Sequence, residues 1–149
     1  MNAKTVRPKR VGYSIPEGSA GYRLWELLHL RTGASKLEFI TWFERRNLVC
    51  GETYNRTQGA VRAQEYIEEL SGSGRTVVLL GDAVRAAFDL APVLLHPQNL
   101  YGVTWRQIPY PSAKNLWYQV PENQHVVALL MEELYKNIPV ERKRVACVQ

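Results

Sequence analysis

Apolar residues recur along this chain with two periods, and the places where the period changes divide it into elements. From Gly21 the run GYRLWELLHLR sets Leu24, Leu27 and Leu28, with Trp25 beside them, on one helical stripe, and Thr32-Gly33 ends it. A second helix is predicted from Ser35 through Arg45, with Leu37, Ile40 and Phe43 as its apolar row. Ser35 is its N-cap, and Glu38 three residues on completes a capping box. The short segment Asn47-Leu48-Val49-Cys50 follows, then a third helix from Thr57 to Leu70, closed by the turn SGSG. Arg75 to Gly81 is a continuous β-branched and apolar run without polar alternation, which fits a strand covered on both faces. Gly81 breaks it, and Asp82 is expected to cap a helix over Ala83 to Leu90. A further strand is predicted from about Gly102 to Ile108. The last helix starts near Pro121, with Glu122 beside it and Val127, Leu130 and Leu134 as its buried row.

Helices alternating with fully buried strands imply an α/β fold: a three-layer sandwich with a small, mainly parallel sheet between helices. The expected organisation is a basic flexible arm over residues 1–12, a single domain over 13–138 and a basic tail over 139–149. Ligands of such sheets sit outside the carboxyl ends of the strands. Three polar loops leave strand ends here: Asn47 onward, Gly81-Asp82, and Tyr110 to Asn115. The third belongs to IPYPSAKNLWYQVPENQ, residues 108–124, where prolines and amides crowd between two apolar elements. So rigid and polar a connection is expected to line a site.

Composition narrows the classes. A chain of 149 residues, 46% hydrophobic and 22% charged, is sized for one soluble domain. No window approaches the ~20 apolar residues of a membrane span. The basic N-terminus MNAKTVRPKRVGY has no apolar run behind it and reads as no secretory leader. Cys50 and Cys147 share no metal-ligand or redox spacing, so both are expected as reduced thiols of a cytoplasmic protein. No His, Cys or carboxylate cluster has metal-ligand spacing, and no cofactor is implied. Neither G-x-x-x-x-G-K-[ST] nor G-x-G-x-x-G occurs, which leaves a phosphate loop or dinucleotide site without support. The net charge of +5 favours polyanionic partners, although basic ends also serve solubility; Arg23, Arg31, Arg45, Arg46 and Arg56 would supplement phosphate binding or, for most of them, form a solvated face.

Four segments, in order, resemble the uracil-DNA glycosylase superfamily, in particular its shorter bacterial and phage members. PEGSAGYRLWELL (16–28) looks like the small-residue segment leading into the family's first long helix. RRNLVC (45–50) looks like the strand whose Asn reads a pyrimidine edge. VVLLGDAVRAAF (77–88) is similar to the following strand, Gly and helix, and IPYPSAKN (108–115) to the His-Pro-Ser loop that enters the minor groove. The resemblance implies a uracil-DNA glycosylase-like fold, DNA as partner, and base flipping.

The same resemblance implies roles. Asn47 would read the flipped base, accepting from pyrimidine N3–H and donating to O4. Its bland alternative is a helix-capping amide. Tyr13 or Tyr22 would substitute for the stacking aromatic. Ser19, Pro111, Ser112, Lys114, Asn115 and Trp117 would meet DNA, with Leu116 or Trp117 as a wedge between bases. Two departures stand out. Tyr110 occupies the place of the family's charge-stabilising His and offers a neutral donor instead. The water-positioning loop has no counterpart beyond RVGYSIPEG, whose one carboxylate is Glu17. The expected function is therefore recognition of a flipped pyrimidine (uracil, thymine or a modified base), by a divergent N-glycosylase or by a base reader that does not cut. The competing expectation is an eroded glycosylase fold used as a protein-interaction module or inhibitor.

Overall fold

The computed structural model describes residues 15, 17–48, 55–138 and 145–149. Tyr13, the N-terminal arm, Val49, Cys50 and residues 139–144 lie outside them. Eleven elements follow one another among the described residues. They are α1 (Ala20–Thr32), α2 (Lys36–Trp42), β1 (Phe43–Arg46), α3 (Arg56–Leu70), β2 (Thr76–Leu80), α4 (Asp82–Ala87), β3 (Gln98–Leu100), β4 (Val103–Ile108), a 3-10 turn (Leu116–Gln119), α5 (Pro121–Lys136) and β5 (Val145–Val148).

The strands form one sheet in the order β1-β5-β2-β4-β3. β1, β5, β2 and β4 run parallel, and β3 pairs antiparallel with β4. One face carries a core of Leu24, Leu28, Phe39, Phe43, Val78, Leu80, Ile108, Tyr118, Val127 and Met131, supplied by α1, α2 and α5. The other carries Leu48, Ala63, Ile67, Leu70, Val77, Leu79, Val84, Phe88 and Trp105, supplied by α3 and α4. β2 contributes alternate residues to the two cores, which is why its sequence shows no polar positions. Each of its buried Val and Leu side chains stabilises the fold by roughly 1.5–3 kcal/mol. The chain is thus α/β with a mostly parallel sheet between helical layers.

The elements depart from the sequence expectations at five points. The helix expected to reach Arg45 stops at Trp42. Phe43 turns extended, at φ −117° and ψ 106°, and begins β1, where a ladder with β5 replaces helical bonding. Its place in the apolar row was real, since it stacks on Phe39 in the core, but Leu37 is exposed instead. Asp82 does not cap α4; it is the helix's first residue and binds Arg85 at 2.9 Å, while Gly81 stands at the cap position. β3 carried no readable signal, being three residues long and mostly exposed.

The largest correction concerns the expected basic tail. Residues 145–148 form β5, inserted between β1 and β2, with Cys147 and Val148 fully buried. Four residues beside Arg142, Lys143 and Arg144 are too short a run to read as a strand, yet the whole sheet is completed by them.

Candidate functional site

Because four strands are parallel, their carboxyl ends share one edge of the sheet. Across it run Asn47 after β1, Gln149 after β5, Gly81 after β2, and Pro109-Tyr110 after β4. Backbone bonds carry the ladders to that edge: Leu48 N–H to Gln149 O at 2.8 Å, Gln149 N–H to Arg46 O at 2.9 Å, and Gly81 N–H to Ile108 O at 2.9 Å. The three polar loops singled out from the sequence therefore do emerge together.

They are not equally close. Gly81 and Tyr110 touch: a Cβ placed on Gly81 would meet the Tyr110 Cβ at 3.2 Å. Gly81 also has φ 98° and ψ 161°, a region essentially confined to glycine. Both facts explain why a glycine ends β2. Asn47 and Tyr110 are three strands apart, which at ~4.8 Å per strand is about 14 Å. The amide between them, Gln149, is half-buried and was not anticipated. Leu48 packs in the α3 and α4 core, so Asn47, one residue earlier, takes the opposite, α1 side of the sheet. Gln149 takes that side too, since Val148 before it lies in the same core as Leu48.

The N-terminus of α1 projects toward this side. Ser19 caps it, its hydroxyl accepting from Tyr22 N–H at 3.1 Å. A Cβ on Gly21 would lie 2.6 Å from an Arg45 guanidinium nitrogen, so the glycine lets the β1 arginine lie against the helix. Burial holds the Arg45 pKa below the usual guanidinium range. On the loop side of α1, the Arg23 guanidinium stands over the Tyr118 ring, 5.2 Å from its centre.

The loop that follows β4 is braced from within. Tyr118 is fully buried and donates its hydroxyl to Pro109 O at 2.7 Å, the carbonyl just past β4. Asn115 was expected at DNA. Its amide nitrogen instead donates to Tyr110 O at 2.7 Å and its oxygen accepts from Trp117 N–H at 3.0 Å, so the side chain closes the turn. Ser112 N–H donates to Tyr110 O at 2.9 Å, and Pro111 is buried. What this frame presents outward is Tyr110, Lys114 and Leu116, the last 72% exposed, while Trp117 is half-buried edge-on to Tyr118. Leu116 is accordingly the more prominent of the two wedge candidates.

Other predicted residues sit differently. Tyr22 packs edge-on against Trp25, with the Lys36 ammonium over its ring. Glu17 is exposed in the turn before α1. The arginines read mainly as a solvated face are partly structural: Arg31 binds Glu132, and Arg46 binds Glu44 and Glu69. Asp82 is held below the usual carboxylate range by its Arg85 partner. Among the described residues no group of three His, Cys, Asp or Glu gathers to hold a metal ion, and no helix is long and apolar enough to cross a membrane.

Sequence reasoning missed Gln149, Tyr118 and the particular position of Arg23. No spacing in the sequence set Tyr118 apart from Trp117, and Gln149 was not legible because its placement depends on β5. No protein-family model, no curated protein and no solved structure matches this chain.

Proposed function

We propose that this chain is a DNA-binding protein of the uracil-DNA glycosylase kind that takes a flipped pyrimidine at the carboxyl edge of its sheet. One observation carries the reading: the Asn47 turn and the Tyr110 turn leave the same edge, with the α1 N-terminus beside it.

In this reading Asn47 pairs with the base edge and rejects cytosine, because the wrong edge leaves buried polar groups unpaired. The exposed Tyr110 hydroxyl donates to pyrimidine O2. Lys114 contacts a phosphate, and Leu116 fills the space the base vacated. If the bond is cut, the C1′–N1 electron pair leaves with the pyrimidine, whose anion Tyr110 stabilises. Water adds to C1′ and gives its proton to Glu17. A neutral phenol stabilises that anion less than a charged donor does. Losing one such donor costs about 2.7–4 kcal/mol in comparable sites, so a slow glycosylase or a reader without cleavage is the expected behaviour.

A duplex with one uracil, incubated with the protein and then treated with alkali, decides between the two. Strand breaks mean an N-glycosylase. Uracil-dependent retention without breaks means a reader. Equal binding to uracil-bearing and all-cytosine control strands in duplex, with no breaks and no dependence on salt, would overturn the reading and favour a protein-interaction module.

A further inference from the structure

Arg23 breaks a pattern kept by most of the described arginines. Arg31, Arg46, Arg75, Arg85 and Arg106 each meet a carboxylate, and Arg85 and Arg106 also donate to backbone carbonyls. Arg23 has its Nη1 buried with no hydrogen-bond partner. A buried guanidinium donor left unmet is costly, and native structures keep such atoms rarely and for a reason. Tyr118 holds the cation by its ring face, and its hydroxyl proton is committed to Pro109 O. Burial also keeps that phenol in its neutral form, so it offers no anion.

We propose that Arg23 is a phosphate-binding residue in its resting position, parked on the Tyr118 ring and able to swing its fork onto a phosphoryl group at the carboxyl edge. Position supports this. Tyr118 reaches the carbonyl that ends β4, so the guanidinium lies beside the turn bearing Tyr110 and Ser112. It also lies close to the first turn of α1, whose amides add a partial positive charge. The planar fork matches phosphoryl oxygens two at a time. The residue as a whole is half-buried, so part of its side chain already meets solvent. Leaving the ring breaks no hydrogen bond at Nη1, because none is made there. Glu26, three residues on along α1, and Glu17, in the turn before it, are both exposed.

The phosphoryl chemistry stands on the geometry of Arg23. That its source is a DNA backbone rests on the preceding reading, and the experiment separates the two. Arg23→Met, Arg23→Lys and the parent are melted in inorganic phosphate and in chloride at matched ionic strength. Each is also titrated with a short duplex carrying one uracil over a range of salt. Without phosphate the Met variant melts at or above the parent, since it removes the unmet donor. Phosphate raises the parent's melting temperature more than that of either variant. DNA affinity falls about tenfold in Arg23→Met, and the slope of log affinity against log salt becomes shallower by about 1. Arg23→Lys keeps the charge and folds even if Met does not. It retains the slope but loses the extra phosphate response. An extra phosphate response without DNA binding makes the free ion the ligand and leaves the Arg23 assignment standing while the DNA reading falls. Equal phosphate responses in all three proteins, with unchanged salt slopes, overturn the proposal.

Discussion

The two edges of the sheet are built on opposite plans. At the amino edge, near the starts of β2 and β4, glycines bring backbone against backbone. A Cβ on Gly102 would lie 2.6 Å from the Gly72 Cα. That closeness is matched by Gly72 N–H to Tyr101 O and Gly74 N–H to Gly102 O, both at 2.8 Å. At the carboxyl edge a glycine brings backbone against a side chain, Gly81 against Tyr110. There the turn's own bonds are closed by Asn115 and Tyr118, while Tyr110, Lys114 and Leu116 face outward and Arg23 keeps an unmet donor. Satisfied backbone marks the edge that holds the fold together. Leu100 and Tyr101 face outward at the amino edge as well, so what sets the carboxyl edge apart is the buried Arg23 donor left unmet.

Changes at either edge put that contrast to the test. The largest effect is expected from deleting residues 145–149, which removes the strand between β1 and β2. The truncated chain should lose cooperative unfolding in circular dichroism. Next is Gly102→Ala, which meets both a left-handed backbone, φ 66°, and the Gly72 backbone. Roughly 2–4 kcal/mol of destabilisation is expected by denaturant titration, with ligand binding by the folded fraction unchanged. Gly81→Ala should cost less, roughly 1–3 kcal/mol, because at 3.2 Å the Tyr110 Cβ is a looser contact than the 2.6 Å at Gly102. Binding should suffer more than stability there, since Tyr110 is displaced.

Smaller effects concern protons. Glu38, bonded by Ser35 N–H and Tyr135, and Glu69, bonded by Arg46, have pKa values below the ordinary one. Their folded values lie under the unfolded value of about 4.3, so their stabilisation is complete above that pH and lost as pH falls through the folded values. Stability should therefore decline from about pH 5 toward pH 3, and Glu38→Gln with Glu69→Gln should flatten the decline. Burial pushes the Cys147 thiol up to about 12. Peptide mapping after alkylation at pH 8 should find it unlabelled in the native protein and labelled once β5 leaves the sheet.

How much of this was legible beforehand depends on length and period. α1, α3, α5 and β2 are long or uniform enough for their pattern to show, and the Ser35–Glu38 capping box forms as its spacing implied. β5 and β3 were not legible, because a strand of three or four residues owes its existence to a partner ladder and not to its own composition. The same limit hid the site's floor. Asn47 and the Tyr110 turn were identifiable as loops with polar side chains. Their shared edge followed from the parallel sheet, but the 14 Å or so between them did not, since the strand inserted there comes from the chain's last described residues. Asn115 shows the converse limit: nothing local announced that an amide in this polar loop closes its own turn.

The central claim is that the carboxyl edge takes a pyrimidine out of the stack, and base flipping can be watched directly. A duplex carrying 2-aminopurine next to a single uracil is titrated with the protein and its fluorescence followed. Fluorescence should rise as the uracil leaves the helix, and Asn47→Ala should abolish the rise while retaining salt-sensitive DNA binding. An unchanged signal at saturating protein, or an equal rise with Asn47→Ala, would contradict it.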